Sequence, residues 1–175
     1  MNFFKWFFGE KEADSLFYHE DDFCQIEFQP QENIKFVESE IARLNDNYEE
    51  NFDGFGFKEA VVREEAPIPL VSKTIESDEL DVLILGYGLS KEIQVYTGYG
   101  QSYREISKNT YGYGKGYAAI YFDFNEEAIV KHIWMTNVNS IQVEGGIESL
   151  IEKICNKWQL LCIDWESFEI ISFTE

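Results

Sequence analysis

Between Asp81 and Asp123 the chain carries Gly86-Tyr87-Gly88, Gly98-Tyr99-Gly100 and Gly112-Tyr113-Gly114-Lys115-Gly116-Tyr117, separated by short apolar runs. Glycine suits corners where φ must turn positive, and tyrosine suits a half-buried pleated surface. The spacing therefore predicts a strand-and-turn meander, and short turns permit only antiparallel neighbours. The glycines do not have the spacing of a phosphate cradle. A P-loop around Lys115 needs glycine where Asn109 stands and Ser or Thr where Gly116 stands. The dinucleotide pattern fails as well, because its third glycine falls on Lys91, Tyr103 or Tyr117.

Flanking segments supply the helices. After Pro30, the residues Ile34, Val37, Ile41, Leu44 and Tyr48 recur at steps of three and four, which places them on one stripe of a helix ending near Tyr48. A second stripe follows Gly146, with Ile147, Leu150, Ile151, Ile154 and Trp158. Leu16 to His19 and Phe23 to Phe28 read as a strand pair across the charged turn Glu20-Asp21-Asp22, with one wet face. Further strands are expected at 117–122 and 129–135, and a closing hairpin at 160–164 and 168–173 turns at Trp165-Glu-Ser167. No linker divides the chain, so 1–175 reads as one α+β domain: a single twisted, mainly antiparallel sheet with two amphipathic helices packed on one face.

Charge is the outlying property, with 14 Lys plus Arg against 33 Asp plus Glu, a net of −19. Residues 10–51 hold thirteen acids and three bases, whereas 82–140 hold five of each. Such a chain repels phosphate backbones and anionic leaflets, which disfavours direct nucleic-acid or membrane binding and favours a basic protein partner. The start Met1-Asn-Phe-Phe-Lys-Trp-Phe-Phe-Gly9 is too short for a membrane span and lacks the form of a signal peptide, and is expected to lay its rings on the core. Cys24, Cys155 and Cys162 have neither disulfide nor metal spacing, which points to a reducing compartment.

Patterns for catalysis or metals fail on spacing. A calcium loop beginning at Glu49 has Ala60 where a bidentate Glu is required. His19-Glu20-Asp21-Asp22 offers ligand types in one turn, but adjacent extended residues diverge and His132 is remote in sequence. There is no nucleophile-elbow or His-Glu-x-x-His pattern. The residues point to no enzyme and no cofactor.

Four stretches together resemble small bacterial immunity proteins encoded beside contact-dependent or other polymorphic toxins. They are the opening Met1-Asn-Phe-Phe-Lys-Trp-Phe-Phe-Gly-Glu-Lys, Phe17-Tyr-His-Glu-Asp-Asp-Phe-Cys-Gln-Ile-Glu27, Asp53-Gly-Phe-Gly-Phe57 and Ile163-Asp-Trp165. The resemblance implies a cytoplasmic, non-enzymatic protein that neutralises a cognate toxin domain by stoichiometric binding. Many such toxins are nucleases with basic grooves, which an acidic surface can occupy. Charge for that surface is expected from Glu38, Asp46, Glu49, Glu50, Asp53, Glu64, Glu65, Asp78 and Asp81, with Tyr87, Tyr99 and Tyr113 as aromatic anchors. The alternative is a small-ligand binder or enzyme with a pocket under the Gly-Tyr-Gly turns.

Overall fold

The computed structural model describes residues 15–51, 62–100 and 103–172. The opening segment, Asp53 and the loop at 53–57 lie outside the described residues. Strands are β1 (Phe17–His19), β2 (Ile26–Pro30), β3 (Lys91–Glu92), β4 (Tyr96–Gly98), β5 (Arg104–Ile106), β6 (Thr110–Lys115), β7 (Ala118–Phe124), β8 (Val130–Thr136), β9 (Leu160–Asp164) and β10 (Glu169–Ile171). Helices are α1 (Ile34–Asn51), α2 (Ser77–Leu85) and α3 (Ile147–Trp158).

The class is α+β, built on a seven-stranded sheet in the order β10-β9-β2-β8-β7-β6-β3, in which every pairing is antiparallel. The Gly-Tyr-Gly meander does not stay in one sheet. Its β3, β6 and β7 join the large sheet, while β4 lies between β1 and β5 in a separate three-stranded sheet, parallel to β1 and antiparallel to β5. The expected pairing of the first two strands is thus replaced: β1 meets β4, and β2 lies between β9 and β8.

Both faces of the large sheet are covered. On one, Ile26, Phe28, Ile120, Phe122, Ile133, Met135 and Cys162 meet Leu80 and Ile84 of α2 and Leu150, Ile151 and Ile154 of α3. Each such fully buried aliphatic or aromatic side chain is worth roughly 1.5–3 kcal/mol. On the other face, Ile163 meets Val37 and Trp165, with Phe36, Ile41 and Leu44 of α1 packed alongside. Farther along that face Ala119, Tyr121 and Trp134 are covered by Leu16, Tyr18 and Val95 of the small sheet and its approaches. The two long helices therefore lie on opposite faces, not on one, because Cys162 and Ile163 are successive strand residues and point to opposite sides. The face expected to be wet is covered by α1 and the small sheet.

Local chemistry explains the element ends. A 3-10 turn at Gln31–Asn33 leads into α1. Gln159 ends α3 in the left-handed region at φ 55°. Gly112 lets the small sheet approach closely, since a Cβ there would lie 2.6 Å from Leu16 Cδ1. Among the described residues no helix is long and apolar enough to cross a membrane.

Candidate functional site

The acidic surface starts from α1. With its apolar stripe turned to the sheet, and about 100° of rotation per residue, Glu38, Asp46, Glu49 and Glu50 fall on one outward arc roughly 120° wide. All four are exposed. Glu40 faces the flank instead and is 4% exposed. Arg43 meets it with two prongs, Nε donating to Oε2 at 2.8 Å and Nη2 donating to Oε1. That guanidinium holds the Glu40 carboxyl below the usual carboxylate range, against the opposing effect of burial.

The same pair fixes a strap running from Val62 to Pro69. Arg43 Nη2 donates to the Val62 carbonyl at 3.0 Å, and the Glu64 amide donates to Glu40 Oε1 at 2.9 Å. At the far end buried Asn33 closes a two-way bond with Ile68, donating to its carbonyl at 2.8 Å and accepting from its amide at 3.2 Å. Glu64 and Glu65 are exposed between these ties. The strap thus sets two more carboxylates along the flank of α1.

Beneath the strap the sheet forks. Strand β2 pairs with β8 only at Ile26 and Glu27, but with β9 through to Pro30. A cavity of about 400 Å³ occupies this fork, lined by Phe23, Glu27, Gln29, Arg63, His132 and Trp165 among others. Glu27 Oε1 accepts from Trp165 Nε1 at 2.7 Å and Gln29 Nε2 at 2.8 Å, and lies 3.5 Å from Arg63 Nη1. Arg63 lies over the Trp165 ring and donates to the Cys24 carbonyl at 2.9 Å. Opposite, a β-bulge between Asp123 and Phe124 brings two successive side chains onto one carboxylate: Lys131 Nζ lies 3.0 Å from Asp123 Oδ2 and His132 Nδ1 lies 2.8 Å from Oδ1. Burial would raise the Asp123 carboxyl, yet His132 and Lys131 together hold it below its usual range.

The remaining expected residues do not join this surface. Asp78 is exposed in the first turn of α2, and α2 packs on the opposite face of the sheet from α1. Asp81 is half-buried, accepting from Tyr113 Oη at 2.6 Å and pairing with Lys91 at 2.8 Å. Tyr113 is fully buried, so it is a core residue and not an anchor. Tyr87 is half-buried and donates to the Ser149 carbonyl at 3.1 Å. Tyr99 is exposed, with its ring edge-on to His19. The nine expected acids thus divide: six belong to α1 and the strap, two to the far face, and Asp53 lies outside the described residues.

Other chemistry is constrained too. Among the described residues no group of three or more His, Cys, Asp or Glu side chains converges to hold a metal ion. In the turn after β1, His19 Nδ1 accepts from the Asp21 amide and Asp22 Oδ2 from the His19 amide, so these groups serve the turn itself. Burial pushes the Cys24 and Cys162 thiols far up, and that of Cys155 up to about 12, which leaves none of them a ready nucleophile. Against the Gly-Tyr-Gly corners a second cavity of about 470 Å³ is lined by Gly88, Leu89, Ser90, Gly114, Lys115, Ala118, Ser140, Ile141 and Gln142. Among its described lining residues Lys115 carries the one charged side chain.

Comparison with protein-family models, with curated proteins and with solved structures gives no match. The site therefore stands on its own residues. No local pattern in the sequence joins Glu27, Arg63, Asp123, His132 and Trp165, and 138 residues separate Glu27 from the Trp165 that it meets. The Glu40–Arg43 spacing of three was the one local signal, as it fits a pair on a helix flank.

Proposed function

We propose that this chain is an immunity-type inhibitor that binds a basic toxin domain stoichiometrically through the outer arc of α1 and the strap. The carrying observation is the placement of Glu38, Asp46, Glu49 and Glu50 on one exposed arc, with the strap that carries exposed Glu64 and Glu65 tied to α1 through the Glu64 amide and Glu40. An exposed carboxylate array complements a basic groove, and a net of −19 accelerates encounter with it. A nuclease domain is the toxin class that best fits such a surface, and the cytoplasm is where the inhibitor would meet it. In this reading the chain needs no cofactor and turns over no substrate.

The direct test is co-expression with the C-terminal domain of a large secreted protein encoded immediately upstream. The two chains should co-purify at equal stoichiometry, and the domain's toxicity should be suppressed. Failure to bind removes this reading. The cavity at the Gly-Tyr-Gly corners supports a second, small-ligand reading, and Lys115, the one charged group among its described lining residues, suits binding more than turnover.

A further inference from the structure

Strand β5 ends the small sheet, and two backbone bonds show which of its groups face outward. Tyr96 donates its amide to the Leu16 carbonyl beside β1, and Ser107 donates its amide to the Val95 carbonyl. Because backbone groups alternate sides along a strand, Val95 and Thr97 address β5, and Glu105 and Ser107 address β4. Arg104 and Ile106 therefore turn their N–H and C=O groups away from the sheet. β5 pairs with β4 alone, so this edge is open among the described residues. The side chains of Arg104 and Ile106 stand two positions apart on one face, and Ile106 is 53% exposed.

Arg104 itself is unmatched. Arg43 and Arg63 each meet a carboxylate, whereas Arg104 takes part in no ion pair among the described residues of a chain with 33 acids. Its guanidinium lies over the rings of Phe17 and Tyr96, 4.8 and 5.2 Å from their centroids, which holds it in place. Its Nε is enclosed without a hydrogen-bond partner, and its two terminal nitrogens are equally unbonded but not enclosed. Those terminal nitrogens are the reachable donors, and they sit on the strand whose edge is open. Residues 91–117 carry four bases and two acids, a local positive excess in a chain of net −19. A carboxylate is the complement of this face.

A second copy of the chain does not supply it. Antiparallel pairing of two β5 edges about a two-fold axis must join outward-facing residues to one another. Joining Arg104 to Ile106 sets Glu105 against Glu105, joining Arg104 to itself opposes two arginines, and joining Ile106 to itself sets Arg104 against Lys108. Each register places like charges directly opposite, which destabilises a strand pair.

We propose that β5 receives an extended segment of a protein partner as a further strand of the small sheet, with an Asp or Glu of that segment on Arg104 and an apolar side chain two positions away beside Ile106. Main-chain bonds to Arg104 and Ile106 supply affinity, and the alternate side chains supply selectivity. The carboxylate meets both terminal nitrogens of a guanidinium already oriented by two rings. This edge is separate from α1 and the strap, so the inference stands independently of the inhibitor reading.

The test uses the full chain and acetyl-Thr-Val-Thr-Glu-Thr-Val-Thr-amide, in which Glu and Val share one face of an extended strand. Saturable shifts of the Arg104 and Ile106 backbone amide resonances are expected, with their hydrogen exchange fast in the free chain and slowed on saturation. The same peptide with Lys in place of Glu should bind at least about tenfold more weakly, as loss of a charge-assisted contact requires. Arg104→Gln should bring the two peptides within about twofold of each other. Ile106→Pro removes one outward N–H, leaves the β4 ladder intact, and should weaken the Glu peptide at least about tenfold. Equal binding of the two peptides by the unaltered chain, a preference retained in Arg104→Gln, or full binding by Ile106→Pro overturns the proposal. So does saturation of the same resonances by acetate as fully as by the peptide, which marks an anion contact without strand addition. Slow exchange of both amides in the free chain also overturns it: independent of concentration it assigns the edge to the chain itself, and dependent on concentration to a second copy.

Discussion

Arg43 grips the buried carboxylate of Glu40 with two prongs, and the same carboxylate receives the Glu64 amide at 2.9 Å. One buried acid on the flank of α1 thereby ties the helix to the strap and its exposed Glu64 and Glu65. Substituting Glu40 by Ala leaves a guanidinium and a backbone N–H without their acceptor. The expected loss is about 2–4 kcal/mol of unfolding free energy, read from urea denaturation. Glu64→Gln, which keeps the backbone bond, should change stability by less than about 0.5 kcal/mol.

Acid should act through the same residue and through Asp123. Both carboxyls are held below their ordinary range, Glu40 chiefly by Arg43 and Asp123 by His132 and Lys131 against burial. A depressed folded-state value stabilises the fold at pH above the unfolded value, and that contribution is lost as pH falls through the folded one. Stability is thus expected to hold above about pH 4 on account of these two groups and to decline below it. Chemical denaturation across that range should show a shallower acid limb in Glu40→Gln and Asp123→Asn. An unchanged limb in both would contradict the assigned pairs.

Tyr113 supplies a contrasting prediction, since it is a core tyrosine and not a contact. Its hydroxyl donates to Asp81 at 2.6 Å, while Lys91 lies 2.8 Å from the other carboxylate oxygen. Tyr113→Phe should cost roughly 1–3 kcal/mol of stability, as for a bond to a charged acceptor. Partner capture, measured below the denaturation range, should be unaffected.

Thiol chemistry checks the absence of a cysteine nucleophile. Burial raises all three thiols, and Cys24 and Cys162 are almost wholly enclosed. Native protein at pH 8 should react with a thiol reagent far more slowly than unfolded protein, with Cys155 labelled first. Rapid native labelling of Cys24, followed by mass spectrometry, would contradict this.

What the sequence made legible was local. The stripes of α1 and α3 are visible because burial of one helical face imposes steps of three and four, and Gly146 marks where α3 begins. Strand β8 and the β9–β10 hairpin are visible for the same kind of reason. The run Leu80, Val82, Leu83, Ile84, Leu85 was harder, because a short apolar stretch suits a buried strand as well as a helix. It forms most of α2, with Asp78 and Glu79 in the favourable first turn. Partnering across the sheet was not legible: β1 finds β4 and β2 finds β9 over long separations that no local pattern encodes. The surface acids of α1 were visible as acids, but the buried role of Glu40 and the cleft around Glu27 depend on those distant pairings. Asp78 and Asp81 fall within the expected acidic surface because net charge says nothing about which face of a sheet a helix covers.

The central claim is electrostatic, and association kinetics test it most directly. The rate at which the chain binds the upstream-encoded toxin domain should fall steeply as ionic strength rises, since surface charges are screened over about 10 Å at 0.1 M salt. Replacing Glu38, Asp46, Glu49 and Glu50 by Gln should slow association about tenfold at low salt and flatten the salt dependence, with folding intact. A rate indifferent to salt, or one equal in the two proteins at every ionic strength, would contradict an acidic α1 surface as the working face.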